Sequence, residues 1–252
     1  AFAGRVGRLV VLPIICLFSF AKVRNTWTLE VEAKPPSFVP MPLYNLPIQP
    51  QGVEIVLWHL LESSEQSLEW KAHFPHREES TMSLLRQNEH RAVTYAITQM
   101  MGHDQWHLSH DLNGKPSLHL SGRDVPCAVS IAHVTHHGEI WAAVAKWNDG
   151  RTTGGIDLAF IHDPRVKRVA SRVMSQEEQI RWQGHEAWVW ATKEAMFKGH
   201  GPNLEFRSQA LLTRAPQISQ VQQGVLHGEV RDSPWEGAWM VLPNDMLLVW
   251  GA

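Results

Sequence analysis

Residues 129–160 read VSIAHVTHHGEIWAAVAKWNDGRTTGGIDLAF, and this stretch decides the fold class. Its two runs of strand-forming residues, 129–133 and 140–146, are separated by a short polar segment, so each reads as a strand. Asn148-Asp149-Gly150 is a hairpin signal leading into a third strand over 155–160. Helical spacing takes over directly afterwards. Val166, Val169, Ala170 and Val173 share one face of a short helix predicted over 165–173. A stronger helix is expected over 186–198, closed by Gly199-His200-Gly201-Pro202, where glycine ends the helix and proline follows. Working outward, 53–61 reads as an opening strand and 80–101 as one helix or two abutting ones. Asn113-Gly114-Lys115-Pro116 reads as a turn. From Phe206 the pattern returns to strands, with Val249 and Trp250 near the end. Strands and helices mix with hairpins rather than alternate, which favours an α+β fold over a doubly wound parallel sheet.

The bulk properties narrow the function classes. With 252 residues, 44% hydrophobic and 19% charged, the chain has the composition of a soluble globular protein with a sizeable core. A formal net charge of -2 gives no global pull toward nucleic acid or an anionic membrane, so a polyanionic ligand needs a local basic cluster. Cys16 and Cys127 are too few and too far apart for a disulfide framework or zinc ribbon, which fits a reducing compartment. Residues 1–40 stand apart. Arg5 and Arg8 precede an apolar run over 9–21, broken by Pro13, which is shorter than the ~20 residues a bilayer span needs. It has the layout of a signal-peptide core. Met41 after the Lys34-Pro35-Pro36-Ser37 linker makes a natural start, so 1–40 is read as a leader or non-native extension.

Chemistry concentrates in two elements. Glu194 and Lys198 stand four apart on the predicted 186–198 helix, flanked by Trp190 and Phe197. An ordinary surface ion pair has this spacing. A carboxylate and an amine at the edge of a core, tuned by partial burial, have it too. Gly154-Gly155-Ile156-Asp157 puts one acid on the strand after the turn, and the glycines either allow close backbone approach or finish the turn.

Taken together and in order, Gly155-Ile156-Asp157, Ser175-Gln176-Glu177-Glu178 and the run from Trp190 through Lys193-Glu194 to Lys198 resemble the 4′-phosphopantetheinyl transferase signature. The likeness is to the larger monomeric type, which reads G-I/V-D-x-E, F-S-x-x-E and W-x-x-K-E-x-x-x-K. His90-Arg91, Gly114-Lys115-Pro116 and Ser130-Ile131-Ala132-His133 agree with that family's upstream pieces, so the resemblance spans residues 53–212. It implies two similar α/β subdomains packed as a pseudo-dimer, 41–150 and 151–252, with coenzyme A between them. It also implies a cytoplasmic monomer that moves the phosphopantetheine arm onto a serine of an acyl or peptidyl carrier protein. Asp157 and Glu194 would hold Mg²⁺, joined by Glu178 if that residue reaches, and Glu194, or a water it orients, would be the general base. Lys198 would neutralise charge on the leaving oxygens. His133 and Arg91 would contact the 3′-phosphate and nearby nucleotide, and Lys115 the adenine or ribose end. Arg77 and Arg86 are either further phosphate contacts or solvated surface.

The sequence departs from the signature at Ala159, where the family carries a second acid on the Asp157 face of the strand, and at Ala132 and Val134, which replace hydroxyls. Weaker metal binding is expected from Ala159, and a relative that binds coenzyme A or a carrier without efficient transfer is the alternative reading. The fifteen histidines invite a metallohydrolase reading through His103, His107 and His110 at helical spacing, or through His133, His136 and His137. No glutamate completes an H-E-x-x-H pattern, so turn or surface histidines are preferred. Twelve tryptophans are expected to serve core packing rather than carbohydrate stacking.

Overall fold

The computed structural model describes residues 43–44, 46, 51–61, 83–102, 105–151, 153–214 and 222–252. The expectations placed on residues 1–40, Met41, Arg77, the start of the first helix at 80–82 and His103 lie outside them. The chain runs β1 (Leu43–Tyr44), β2 (Val53–Leu61), α1 (Leu84–Met101), β3 (Trp106–His110), β4 (Pro116–Leu120) and β5 (Arg123–Asp124). It continues through β6 (Val129–His136), β7 (Glu139–Trp147), β8 (Gly155–Phe160), α2 (Pro164–Val173), α3 (Gln176–Arg181) and α4 (Glu186–His200). The last strands are β9 (Ala210–Leu212), β10 (Gln223–Val230), β11 (Ser233–Leu242) and β12 (Met246–Gly251). The result is α+β, as the mixed pattern requires.

Every strand pair among the described residues is antiparallel, in sheets of order β1-β2-β7-β6, β8-β12-β11-β10-β9 and β3-β4-β5. The alternation of side chains along single strands arranges the first two sheets and their helices in layers. On β7, Trp141, Ala143, Ala145 and Trp147 face one way, against Ile156 and Leu158 of β8 and Met246 and Leu248 of β12. Val144 faces the other way, against Ala96, Ile97 and Met100 of α1. The second sheet repeats the logic. Ala159, Leu247 and Val249 turn outward onto Val189, Ala191, Ala195 and Met196 of α4. The order is therefore α1, first sheet, second sheet, then α4 with α2.

One expectation needs correcting. The turn at Asn148-Asp149-Gly150 is present, with Gly150 at φ 78, but it forms no hairpin. β7 already carries β2 on one edge and β6 on the other, so no edge remains for β8, which pairs with β12. The turn instead hands the chain from one sheet to the next. The 80–101 reading resolves into one helix from Leu84, capped by Ser83, whose hydroxyl accepts from the N–H of Arg86 at 3.4 Å. It ends at Gly102 with φ 71. The predicted turn around Asn113 closes the β3–β4 hairpin, where Asp111 Oδ1 accepts the N–H groups of Asn113 and Lys115, each at 2.8 Å. Trp58, Trp141, Trp182 and Trp239 are fully buried. No helix among the described residues is long and apolar enough to cross a membrane.

Candidate functional site

The site begins where β8 meets α4. Gly154 and Gly155 keep ordinary φ values, so the turn does not demand them. Close approach does. A Cβ on Gly155 would overlap the carbonyl of Ala195 on α4, one on Gly154 would lie 2.6 Å from the Trp147 ring, and one on Gly199 would lie 3.3 Å from the Gly154 backbone. With α4 this near, Asp157, on the same face of β8 as Ala159, points at the helix. Lys198 Nζ donates to Asp157 Oδ1 at 2.6 Å and to the Ile156 carbonyl at 3.1 Å. Glu194 lies one turn earlier on α4, on the Lys198 face. From the other sheet, the buried Ser130 hydroxyl on β6 accepts the Ile156 N–H at 3.1 Å, fixing β8 just before Asp157.

Burial pushes the Glu194 carboxyl up to about 7, the Asp157 carboxylate adds to the rise, and Lys198 opposes it. Burial also raises Asp157 above the usual carboxylate range, against the pull of Lys198. Two acids thus share one ammonium group in a poorly solvated place, an arrangement short of positive charge.

Two cavities flank these groups. The first, of about 300 Å³, lies between α1, the β3–β4 hairpin, β6 and the end of α4, and its ionisable lining is of basic residue types: His90, His110, Lys115, His133 and Lys198. The second, of about 330 Å³, lies between β8, α2 and α4, and holds Asp157, Glu194, Ala159, Asp163, Arg165 and Trp190 among its lining. His133 lines both. The first wall suits an anion and the second a cation, with Lys198 beside the boundary.

Of the residues singled out in the sequence, Asp157, Glu194, Lys198, His133 and Lys115 line these cavities. Glu178 does not. It is 2% exposed, its Oε2 accepts from the Ser175 N–H at 2.8 Å and Lys193 Nζ at 2.7 Å, and its Oε1 accepts from the Leu212 N–H at 2.9 Å. It closes the capping box of α3 and balances a fully buried lysine, which occupies the lone pairs a metal would need. Arg91 does not line them either. Its guanidinium donates to Asn88 and Gln87 on its own helix at 3.2 and 3.4 Å. The face of α1 toward the first cavity is His90, Val93, Thr94 and Ile97, spaced by three and four, and Arg91 falls off that stripe. Arg86 pairs with Glu89 at 3.5 Å.

His107 and His110 sit on the strand β3, not on a helix, and no group of three or more His, Cys, Asp or Glu side chains among the described residues has metal-holding geometry. The sequence named His90 only as the motif neighbour of Arg91 and His110 only in the metallohydrolase reading, and their place on the basic cavity wall was missed. The helical spacing of His90 with Ile97 was legible there, whereas His110 enters through a hairpin that the turn alone announces. No protein-family model matches the chain, and no curated protein is significantly similar to it.

Proposed function

We propose that this protein is a 4′-phosphopantetheinyl transferase that uses coenzyme A and Mg²⁺ to modify a serine of an acyl or peptidyl carrier protein. The observation that carries this reading is the meeting of Asp157, Glu194 and Lys198 at the boundary between a basic cavity and an acidic one. Each cavity has about the size of a small-ligand pocket.

The donor set suits a magnesium ion. Two carboxylates short of positive charge supply the one or two protein ligands that Mg²⁺ takes, leaving its other positions to phosphate oxygens and water. When bound there, the ion would neutralise phosphate charge. Asp157 and Glu194 would hold it, and Glu178, already engaged, would not. The basic lining of the first cavity, with Lys115 and His133, would take the nucleotide end of coenzyme A.

The chain's own groups then do the following. The carrier serine Oγ forms a new bond to the β-phosphorus of coenzyme A, and its proton passes to the Glu194 carboxylate. The bond from that phosphorus to the bridging oxygen breaks, and adenosine 3′,5′-bisphosphate leaves. Lys198 Nζ stands where it can offset charge building on that oxygen.

The same reading casts 41–150 and 151–252 as similar halves of a pseudo-dimer working as a cytoplasmic monomer. It is supported by helices on the outer face of each of two sheets that share an apolar layer, α1 on the first and α4 with α2 on the second, with the chain crossing near Gly150. The alternative, a relative with weakened transfer, is favoured by Ala159, which leaves only Asp157 and Glu194 at the signature's three acidic positions.

Incubation of the chain with coenzyme A, Mg²⁺ and a panel of apo-carrier proteins tests the proposal. A carrier heavier by about 340 Da marks transfer. Binding of coenzyme A without any added mass supports the weakened relative, and the absence of both results refutes the transferase reading.

A further inference from the structure

Among the described residues, His133 is the one side chain that lines both cavities, and what holds it lies in another element, outside either lining. Glu89 projects from α1 with only 8% of its surface exposed. A carboxylate so buried needs partners, and among the described residues it has three. Its Oε1 accepts from the Thr135 hydroxyl at 3.0 Å, two residues along β6 from His133. Its Oε2 faces the guanidinium of Arg86 at 3.5 Å and His133 Nδ1 at 3.6 Å. The last distance is longer than a neutral hydrogen bond and within ion-pair reach.

We infer that Glu89 is a positioning residue, which fixes the His133 ring by its Nδ1 edge and turns Nε2 to the wall between the cavities to meet an anion. The inference rests on the nucleotide reading of the basic cavity. Three features favour it over a purely structural carboxylate. Glu89 is tied to β6 through Thr135, so it is aimed at the His133 strand rather than along its own helix. Its negative charge does not oppose an anion in the cavity, because Arg86 and the ring stand on its Oε2. Burial above all, with Lys198, Arg86 and His90, holds the His133 ring below the usual imidazole range, and Glu89 pulls against that. A buried carboxylate behind an imidazole is a general means of fixing ring orientation and tautomer.

The test is a double-mutant cycle on the full chain, with adenosine 3′,5′-bisphosphate as the probe and calorimetry as the readout. Glu89→Leu and His133→Ala are each expected to weaken binding about tenfold, and the double variant to be no weaker than His133→Ala alone. Glu89→Gln, which keeps the bond from Thr135, covers the case in which the leucine variant does not fold, and it is expected to weaken binding several-fold. Additive losses, or a Glu89→Gln variant that binds like the wild type, overturn the inference. If the wild type itself does not bind the probe, the nucleotide reading fails, and ¹⁵N NMR of the free protein still decides the Glu89 role. The His133 ring nitrogens are expected to shift in Glu89→Gln, and unchanged shifts overturn it.

Discussion

Replacing Glu194 with glutamine should stabilise the metal-free protein, and only at neutral pH and above. In the fold its carboxyl titrates at about 7 against 4.5 for the free group, because burial and Asp157 disfavour the charge more than Lys198 favours it. A carboxyl with a raised folded value carries no penalty below about 4.5, a growing one as pH climbs from there to 7, and the full one above 7. At about 1.4 kcal/mol per pH unit the ceiling is about 3 kcal/mol, and residual solvent access brings the expected figure to about 2 kcal/mol. Glutamine has the same shape and no charge, so it removes the penalty. For a chain of this length the melting temperature at pH 8 should rise by about 4–8 °C, with the difference closing by pH 5. Thermal melts in EDTA at both pH values read this directly. Magnesium should then narrow the gap by stabilising the wild type more than the variant. A Glu194→Gln protein less stable than the wild type at pH 8, or a difference independent of pH, would refute the electrostatic account of the site.

Ala159→Glu should lower the Mg²⁺ concentration needed for half-maximal transfer several-fold, because the new carboxylate shares the Asp157 face of β8 and the second cavity; an unchanged requirement places position 159 outside the metal's reach. Gly155→Ala should cost more than about 3 kcal/mol in urea unfolding, or prevent folding, since the added Cβ overlaps backbone rather than a movable side chain; a loss under about 1 kcal/mol would contradict the close packing of α4 on β8. Glu178→Ala should destabilise by about 3–5 kcal/mol by stranding the Lys193 ammonium in the core, and Lys193→Met added to it should recover much of the loss. Melts of the single and double variants check this, and a double no better than the single contradicts it.

The sequence makes the elements legible and conceals how they join. The strand at Asp157 and the helix at Glu194 and Lys198 could be read locally, from turn residues and four-residue spacing, and both formed. The partner of β8 could not, because Asn148-Asp149-Gly150 suits a hairpin and a sheet-to-sheet turn equally well. What decides is that β2, far earlier in the chain, takes the second edge of β7. Glu178 illustrates the same limit within the site. As an acid near other acids it suggests a metal ligand, while its actual partners, Lys193 and the Leu212 N–H, lie 15 and 34 residues away and are joined to it only by folding. Arg91 and His90 differ by one position, and helical phase alone puts His90 at the cavity.

Crystals grown with Mn²⁺ and coenzyme A, examined by anomalous scattering, test the central claim most directly, since Mn²⁺ prefers the same hard oxygen ligands as Mg²⁺. The account predicts a peak between the Asp157 and Glu194 carboxylates, with the pyrophosphate beside Lys198 and the nucleotide over His133 and Lys115. A metal bound elsewhere, or coenzyme A seated away from both cavities, would contradict it.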